Sequence, residues 1–285
     1  MAAHARLDSE LVRRGLVRSR RHAGELIAAG RVSIDGAAAL KSSTPLQPGQ
    51  VVGIEARPGA EPEYASRAGH KLAGALDALG AGGPRVLGRS CLDAGASTGG
   101  FTDVLLRRGA AHVVAADVGH GQLVPGLRAD PRVTVREGVN VRHLGAGDVQ
   151  PAPALVVCDL SFISLALVLP ALIAVAAPRA DLLLLVKPQF EVGRERLGSG
   201  GVVRDPALRA RAVLDVARSA AGLGHGTRAV VASPLPGPSG NVEYFIWLTA
   251  QEPRADDRTL AAIVDRALAA GPTADDTGWT SGGEG

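Results

Sequence analysis

Apolar residues follow two different patterns along the chain. From Leu7 the spacing is helical. Leu7, Leu11 and Val12 share a face, Gly15 can close that helix, and Ser19 can cap a second one running to about Ala29. Gly30-Arg31-Val32-Ser33-Ile34-Asp35-Gly36 then alternates like a strand ending in an Asp-Gly turn, and Pro48 to Ile54 predicts another short strand. The stretch Arg57-Pro58-Gly59-Ala60-Glu61-Pro62-Glu63 reads as a linker, and beyond it the pattern changes. Apolar runs predict strands at Ser90–Asp93, His112–Asp117, Arg132–Arg136, Ala154–Asp159, Asp181–Lys187, Arg228–Ala232 and Glu243–Leu248. Helices fill the gaps, among them Phe101–Arg108, Leu165–Ala177 and Pro206–Ala221. Such alternation predicts an α/β fold with a mostly parallel seven-stranded sheet covered on both faces, behind a small α+β module. Leu260, Ile263, Val264, Ala267 and Leu268 mark a last amphipathic helix, and the tail from Pro272 is expected to be disordered. The organisation is therefore a first domain over 1–57, a linker over 58–65, a second domain over 66–270 and a tail over 271–285.

Composition narrows the class. A chain of 285 residues, 46% apolar, can pack one domain of about 200 residues plus a smaller one. No run approaches the roughly 18 apolar residues of a membrane helix. The N-terminus carries Arg6, Asp8, Glu10, Arg13 and Arg14 and no apolar signal region, so the chain reads as cytoplasmic. Cys91 and Cys158 lie inside strand-like runs, as core residues do, with no spacing for a disulfide or a zinc site. The net charge of +3 is placed unevenly: residues 1–62 hold nine Lys/Arg against six acids, and the remainder balances. The small N-terminal module is thus the expected polyanion binder. Only Lys41, Lys71 and Lys187 stand against 28 arginines. Lysine in such a background marks places where guanidinium cannot substitute, because an ammonium can lose its proton and arginine effectively cannot.

Four segments carry the candidate chemistry. Cys91 to Phe101 (CLDAGASTGGF) is a strand breaking into a glycine loop that opens a helix, where backbone amides can meet a ligand closely. It lacks the Gly-Lys-Ser/Thr of a phosphate loop and the G-x-G-x-x-G of dinucleotide binders. Asp117, ending the next strand, is placed to accept the two hydroxyls of a ribose. Asp159 ends the run Val156-Val157-Cys158 and would point into the ligand crevice of an open α/β sheet, or simply cap the next helix. Lys187 follows four apolar residues, where a lone ammonium is costly unless paired or deprotonated. Taken singly, Lys71 reads as a surface residue, and Glu243, after a Ser-Gly-Asn turn, as solvent-facing. His70, His112, His120 and His143 have no metal-ligand spacing, so no metal is expected.

Together these segments resemble known families. Two basic helices followed by GRVSIDG and LQPGQVV resemble the S4-type RNA-binding module over about residues 5–56. LDAGASTGGFT with AADVG is similar to the first two S-adenosylmethionine motifs of Rossmann-like methyltransferases. Lys71, Asp159, Lys187 and Glu243 match in order and context the Lys-Asp-Lys-Glu tetrad of FtsJ-like ribose 2′-O-methyltransferases. With SRAGHKL, DLSFISL, LVKPQFEVG and PSGNVEYF in place, the chain is similar over about residues 5–270 to the TlyA family, also called hemolysin A. Tyr64-Ala65 departs from the Trp-Val-like pair expected there in part of the family.

The resemblance implies S-adenosylmethionine-dependent methylation of cytidine ribose in ribosomal RNA, in the large subunit alone or in both subunits. It implies catalytic roles for Lys71, Asp159, Lys187 and Glu243. It implies cofactor binding by Asp93, Gly95, Ser97, Gly99, Phe101, Asp117, Val118 and Asp159. RNA contacts are expected from Arg6, Arg13, Arg14, Arg18, Arg20, Arg21 and Arg67, with ribosomal RNA or subunits as partner, no membrane partner, and a monomeric enzyme. In this reading Lys187 is the general base, or steers the proton, kept neutral by burial and by Lys71, while Asp159 and Glu243 orient the lysines. The rivals are a nicotinamide-dependent oxidoreductase, which should carry G-x-G-x-x-G, and a non-catalytic RNA-binding or membrane-active protein, which has no use for a lysine at a strand end. Nothing in the chain is long or amphipathic enough for a pore.

Overall fold

A computed structural model describes residues 5–14, 16–17, 20–47, 49–54, 64–237, 239–251 and 255–271. The expected roles of Gly15, Arg18 and Ser19, most of the linker and the tail beyond Gly271 fall outside the described residues.

The N-terminal part opens with β1 (Ala5–Arg6) and two helices, α1 (Leu7–Arg13) and α2 (Arg20–Ala28). Four short pieces complete it and its partners: β2 (Val32–Ile34), β3 (Ala37–Ala38), β4 (Pro45–Leu46) and β5 (Val52–Ile54). β1 pairs with β4, and β2 lies between β3 and β5 in a three-stranded antiparallel sheet. Of the helical face read from the sequence, Leu7 and Leu11 are fully buried and Val12 partly, and with Leu26 and Ile27 of α2 they close over Val32 and Leu46. Asp35 and Gly36 both take positive φ, as an Asp-Gly turn between β2 and β3 requires.

The second part runs α3 (Arg67–Leu79), β6 (Ser90–Ala94), α4 (Gly100–Arg107), β7 (His112–Ala116), α5 (Pro125–Arg128), β8 (Val133–Arg136) and β9 (Leu155–Cys158). It continues with α6 (Leu165–Val175), β10 (Asp181–Val186), α7 (Pro188–Glu191), α8 (Pro206–Gly222), β11 (Gly226–Ala232), β12 (Tyr244–Thr249) and α9 (Asp257–Ala270). The seven strands lie in the order β11-β12-β10-β9-β6-β7-β8. All are parallel except β12, which slots antiparallel between β10 and β11.

The central strands are mostly apolar because both faces are covered, with the buried Asp93 of β6 and Asp181 of β10 as exceptions. Along β10, Leu182, Leu184 and Val186 pack beneath α6, α8 and α9, while Leu183 and Leu185 join Leu72, Phe101 and Leu105 of α3 and α4 on the other face. Cys91 and Cys158 are fully buried in β6 and β9, and burial pushes both thiols up, that of Cys91 to about 12.

Two features of this topology position the site. The chain reverses its direction of travel across the sheet between β6 and β9, so their C-terminal ends flank the crevice in which open α/β sheets hold ligands. The antiparallel insertion of β12 brings the start of that strand to the same edge: Val186 pairs with Tyr244, so Lys187 and Glu243 follow as neighbours.

Candidate active site

The glycine loop after β6 is built by a turn that only glycine makes cheaply. Gly95 has φ +90°, and a Cβ there would sit 2.6 Å from the Asp159 carbonyl oxygen, so any side chain would push β6 and β9 apart. Gly99, at φ +100°, performs the turn into α4. Across the crevice the Asp117 carboxylate accepts from the Ser97 amide (2.8 Å) and the Gly119 amide (2.7 Å). Each oxygen keeps a lone pair, which suits a ribose diol. Asp93 lies beneath the loop, fully buried. One oxygen accepts from the Thr102 hydroxyl (2.7 Å), and the other has no hydrogen-bond partner. Burial pushes its carboxyl up to about 7, with the negative charges of Asp159 and Asp117 adding to the shift and Thr102 opposing it. An orphaned buried carboxylate oxygen, a cradle that excludes any Cβ and a half-satisfied ribose acceptor fit a ligand carrying both a cationic group and a nucleoside.

The four tetrad positions come together as two ion pairs. Lys71, on the first turns of α3, donates to Glu243 Oε2 at 2.6 Å, with the lysine side chain 8% exposed and the glutamate 0%. Both singly bland readings, a surface lysine and a solvent-facing glutamate, are corrected: the pair is buried because the top of α3 lies against the start of β12. Lys187 Nζ stands 2.7 Å from Asp159 Oδ1, off the hydrogen-bonding line, and its well-aligned bond goes to Ser161 Oγ at 2.9 Å. Of the two states left open for a buried lysine here, paired or deprotonated, the geometry provides the partner: Asp159 stands at ion-pair distance. Gln189 Nε2 approaches the second Glu243 oxygen at 3.4 Å.

Lys71, Asp159, Ser161 and Lys187 line one cavity of about 330 Å³ together with Gly95, Ser97, Thr98, Phe101 and Arg67. Phe101 is otherwise a core residue, its ring 5.9 Å from that of Phe245. Val118 is 64% exposed beyond the end of β7. Ser66, Arg67 and Thr98 also border a groove of about 1030 Å³ that reaches His22 and Arg31 of the N-terminal part.

The N-terminal arginines are less free than their number suggests. Arg6 and Arg20 both hold the buried Asp8, Arg13 and Arg14 hold the buried Glu10, and Arg21 pairs with Glu25. Their guanidinium groups keep Asp8 and Glu10 well below the usual carboxylate range. Arg6, Arg13, Arg20 and Arg21 nevertheless expose half or more of their side chains, while Arg14 is 28% exposed.

The sequence reading missed Ser161, Gln189 and Glu191. All three stood inside quoted motifs, two residues from Asp159 or two and four from Lys187, and that proximity was the available signal.

Comparison with known proteins agrees with this geometry. The FtsJ-like methyltransferase family matches residues 64–250, and the S4 domain family matches residues 5–52. A Mycobacterium tuberculosis protein, 16S/23S rRNA (cytidine-2′-O)-methyltransferase TlyA, is 57% identical over 95% of this chain and 100% of its own length. Hemolysin A of Brachyspira hyodysenteriae is 35% identical over 84% of this chain and 98% of its own. Among solved structures, a candidate hemolysin from Streptococcus thermophilus superimposes with a TM-score of 0.67 at 34% identity, covering 94% of this chain and 96% of that one. No helix among the described residues is long and apolar enough to cross a membrane.

Proposed function

The chain belongs to the TlyA family of FtsJ-like methyltransferases, and we propose on that footing that it methylates the ribose 2′-hydroxyl of cytidine in ribosomal RNA with S-adenosylmethionine as donor. The observation that carries this reading is one cavity at the glycine-loop end of the sheet lined by Lys71, Lys187 and Asp159, with Glu243 buried behind Lys71 as its ion-pair partner. The cofactor supplies an electrophilic methyl group when bound. Asp117 would hold its ribose, the backbone of Gly95 to Ser97 would pack against it, and Asp93 would meet its cationic end, with Gly99, Phe101 and Val118 shaping the pocket.

The chain's own residues then position and deprotonate the hydroxyl. Lys187 donates one N–H to Ser161 and lies against Asp159 as an ion pair, leaving an N–H for the substrate oxygen. That contact turns a lone pair of the hydroxyl towards the methyl group and stabilises the oxygen as its proton leaves. Asp159, whose carboxylate receives no hydrogen bond other than this ion-pair contact among the described residues, is the group placed to take that proton. Lys71 and Glu243 act as a buried, mutually neutralising pair behind them. Much of the rate would come from holding hydroxyl and donor in line, an effect that in general reaches about 7–11 kcal/mol.

RNA would be drawn in by the exposed arginines of α1 and α2 and by Arg67 at the cavity mouth, along the groove that joins them. The protein acts in this reading as a cytoplasmic monomer on ribosomal RNA or subunits. The test is to incubate the purified protein and S-adenosylmethionine with ribosomal RNA and subunits from cells lacking the modification. Digestion and mass spectrometry should then find 2′-O-methylcytidine. Methylation of a base, or none on any ribosomal substrate, would overturn the proposal.

A further inference from the structure

We propose that Glu191 is a positioning residue for the transfer step: it closes the loop 159–165 onto the turn 187–191 and so holds Asp159 and Ser161 against Lys187. This rests on the function proposed above. The two segments meet in a ladder. Lys187 contacts Asp159 and Ser161, the ring of Phe162 lies 5.1 Å from that of Phe190, and Glu191 closes the far end. There the Ser164 hydroxyl donates to Glu191 Oε2 at 2.5 Å, and the Leu165 amide donates to Oε1 at 2.8 Å. Leu165 is the first residue of α6, so the carboxylate also satisfies a free amide at the helix start, where negative charge is favoured.

Two observations argue that this clamp serves the site rather than the fold. The loop it closes is under backbone strain, since Phe162 takes φ +65° while 90% exposed, a conformation that persists only where surrounding contacts impose it. The Glu191 carboxyl is itself placed uncomfortably. Burial lifts it above its ordinary range, and Asp215 on α8 adds to the push, against the two hydrogen bonds that lower it.

Glu191→Ala removes both acceptors, whereas Glu191→Gln keeps one for Ser164 and turns an N–H₂ towards the Leu165 amide. Single-turnover methylation should fall about 10- to 100-fold in Glu191→Ala, the range expected of a misplacement of about 1 Å, and less in Glu191→Gln. Affinity for S-adenosylmethionine should stay within about twofold of wild type in both variants, while Glu191→Gln, which sets an N–H₂ against the Leu165 amide, should melt a few degrees below wild type. Hydrogen exchange at the amides of residues 160–165 should accelerate in both variants and remain unchanged in β6 and β7. Unchanged exchange overturns the clamp. A wild-type transfer rate despite faster exchange overturns the positioning role, as does a loss of cofactor affinity as large as the loss of rate. A wild-type protein that methylates no RNA sinks the functional reading instead, and the exchange arm still decides the clamp.

Discussion

The buried pair Lys71–Glu243 lends itself to a quantitative test. With side-chain exposures of 8% and 0%, neither charge is shielded by water, and the 2.6 Å contact is the only ion pair either makes among the described residues. Glu243→Gln keeps the shape and strands the ammonium. Removing one partner of a buried pair generally costs about 3–5 kcal/mol, because the survivor is left buried and uncompensated. For a domain of this size each kcal/mol moves the melting temperature by about 2–4 °C, so the variant should melt roughly 6–20 °C lower. Lys71→Met combined with Glu243→Gln removes the stranded charge and should recover most of that loss, since apolar replacements of buried pairs are often neutral or better. Methylation should not recover in the double variant if the pair also sets the field around Lys187. Urea denaturation with single-turnover assays on the same preparations reads both quantities. A Glu243→Gln protein within about 1 kcal/mol of wild type would refute the energetic argument, and a double variant with wild-type rate would refute the catalytic one.

Lys187→Arg should lower single-turnover methylation about 100- to 1,000-fold while leaving cofactor affinity near wild type, because the planar fork cannot occupy the place of a compact ammonium between Asp159 and Ser161 and the donor to the reacting oxygen is lost; near wild-type turnover removes Lys187 from the mechanism. Asp117→Ala should weaken S-adenosylmethionine binding more than tenfold, or about 1.5–3 kcal/mol, and calorimetry showing no change would move the cofactor elsewhere. Asp93 titrates at about 7 in the fold against an ordinary 3.8, so the stability it contributes is complete below about pH 4 and is lost as pH rises to about 7. The loss is at most about 4 kcal/mol, and Asp93→Asn should gain on the cofactor-free wild type between pH 5 and pH 8 in denaturation experiments; parallel pH profiles would contradict the assignment. Arg20→Ala with Arg21→Ala should flatten the salt dependence of RNA binding by roughly one unit of slope per lost phosphate contact, and an unaltered slope would place the RNA on another face.

How much was legible in the sequence differed by element. β9 and β10 were plain, because a central strand covered on both faces must be apolar at every position, and Leu182 to Val186 is. The two-residue strands β1, β3 and β4 were not, since no periodicity shows in two residues. The glycine loop and Asp117 were readable because they are local, within one βαβ unit. The pairing of Lys71 with Glu243 spans 172 positions and depends on where β12 enters the sheet, which no local pattern encodes. The arginines of α1 were read as net charge alone, although Glu10 stands three and four positions before Arg13 and Arg14, the spacing at which helical side chains meet. Glu191 escaped notice for another reason: its partners are a hydroxyl and an amide, groups too common to mark a position.

The late entry of β12 has a consequence for the order in which the molecule becomes competent. A chain emerging from a ribosome presents α3, the glycine loop, Asp159 and Lys187 well before residues 243–249. Until those arrive, the slot between β10 and β11 is open, Lys71 lacks its carboxylate, and β11 has no neighbour to hold it in the sheet. The last strand therefore works as a completion lock. A protein truncated during synthesis carries every other tetrad residue, and under the mechanism proposed above such an unfinished copy would have no assembled reaction centre and would leave RNA unmarked.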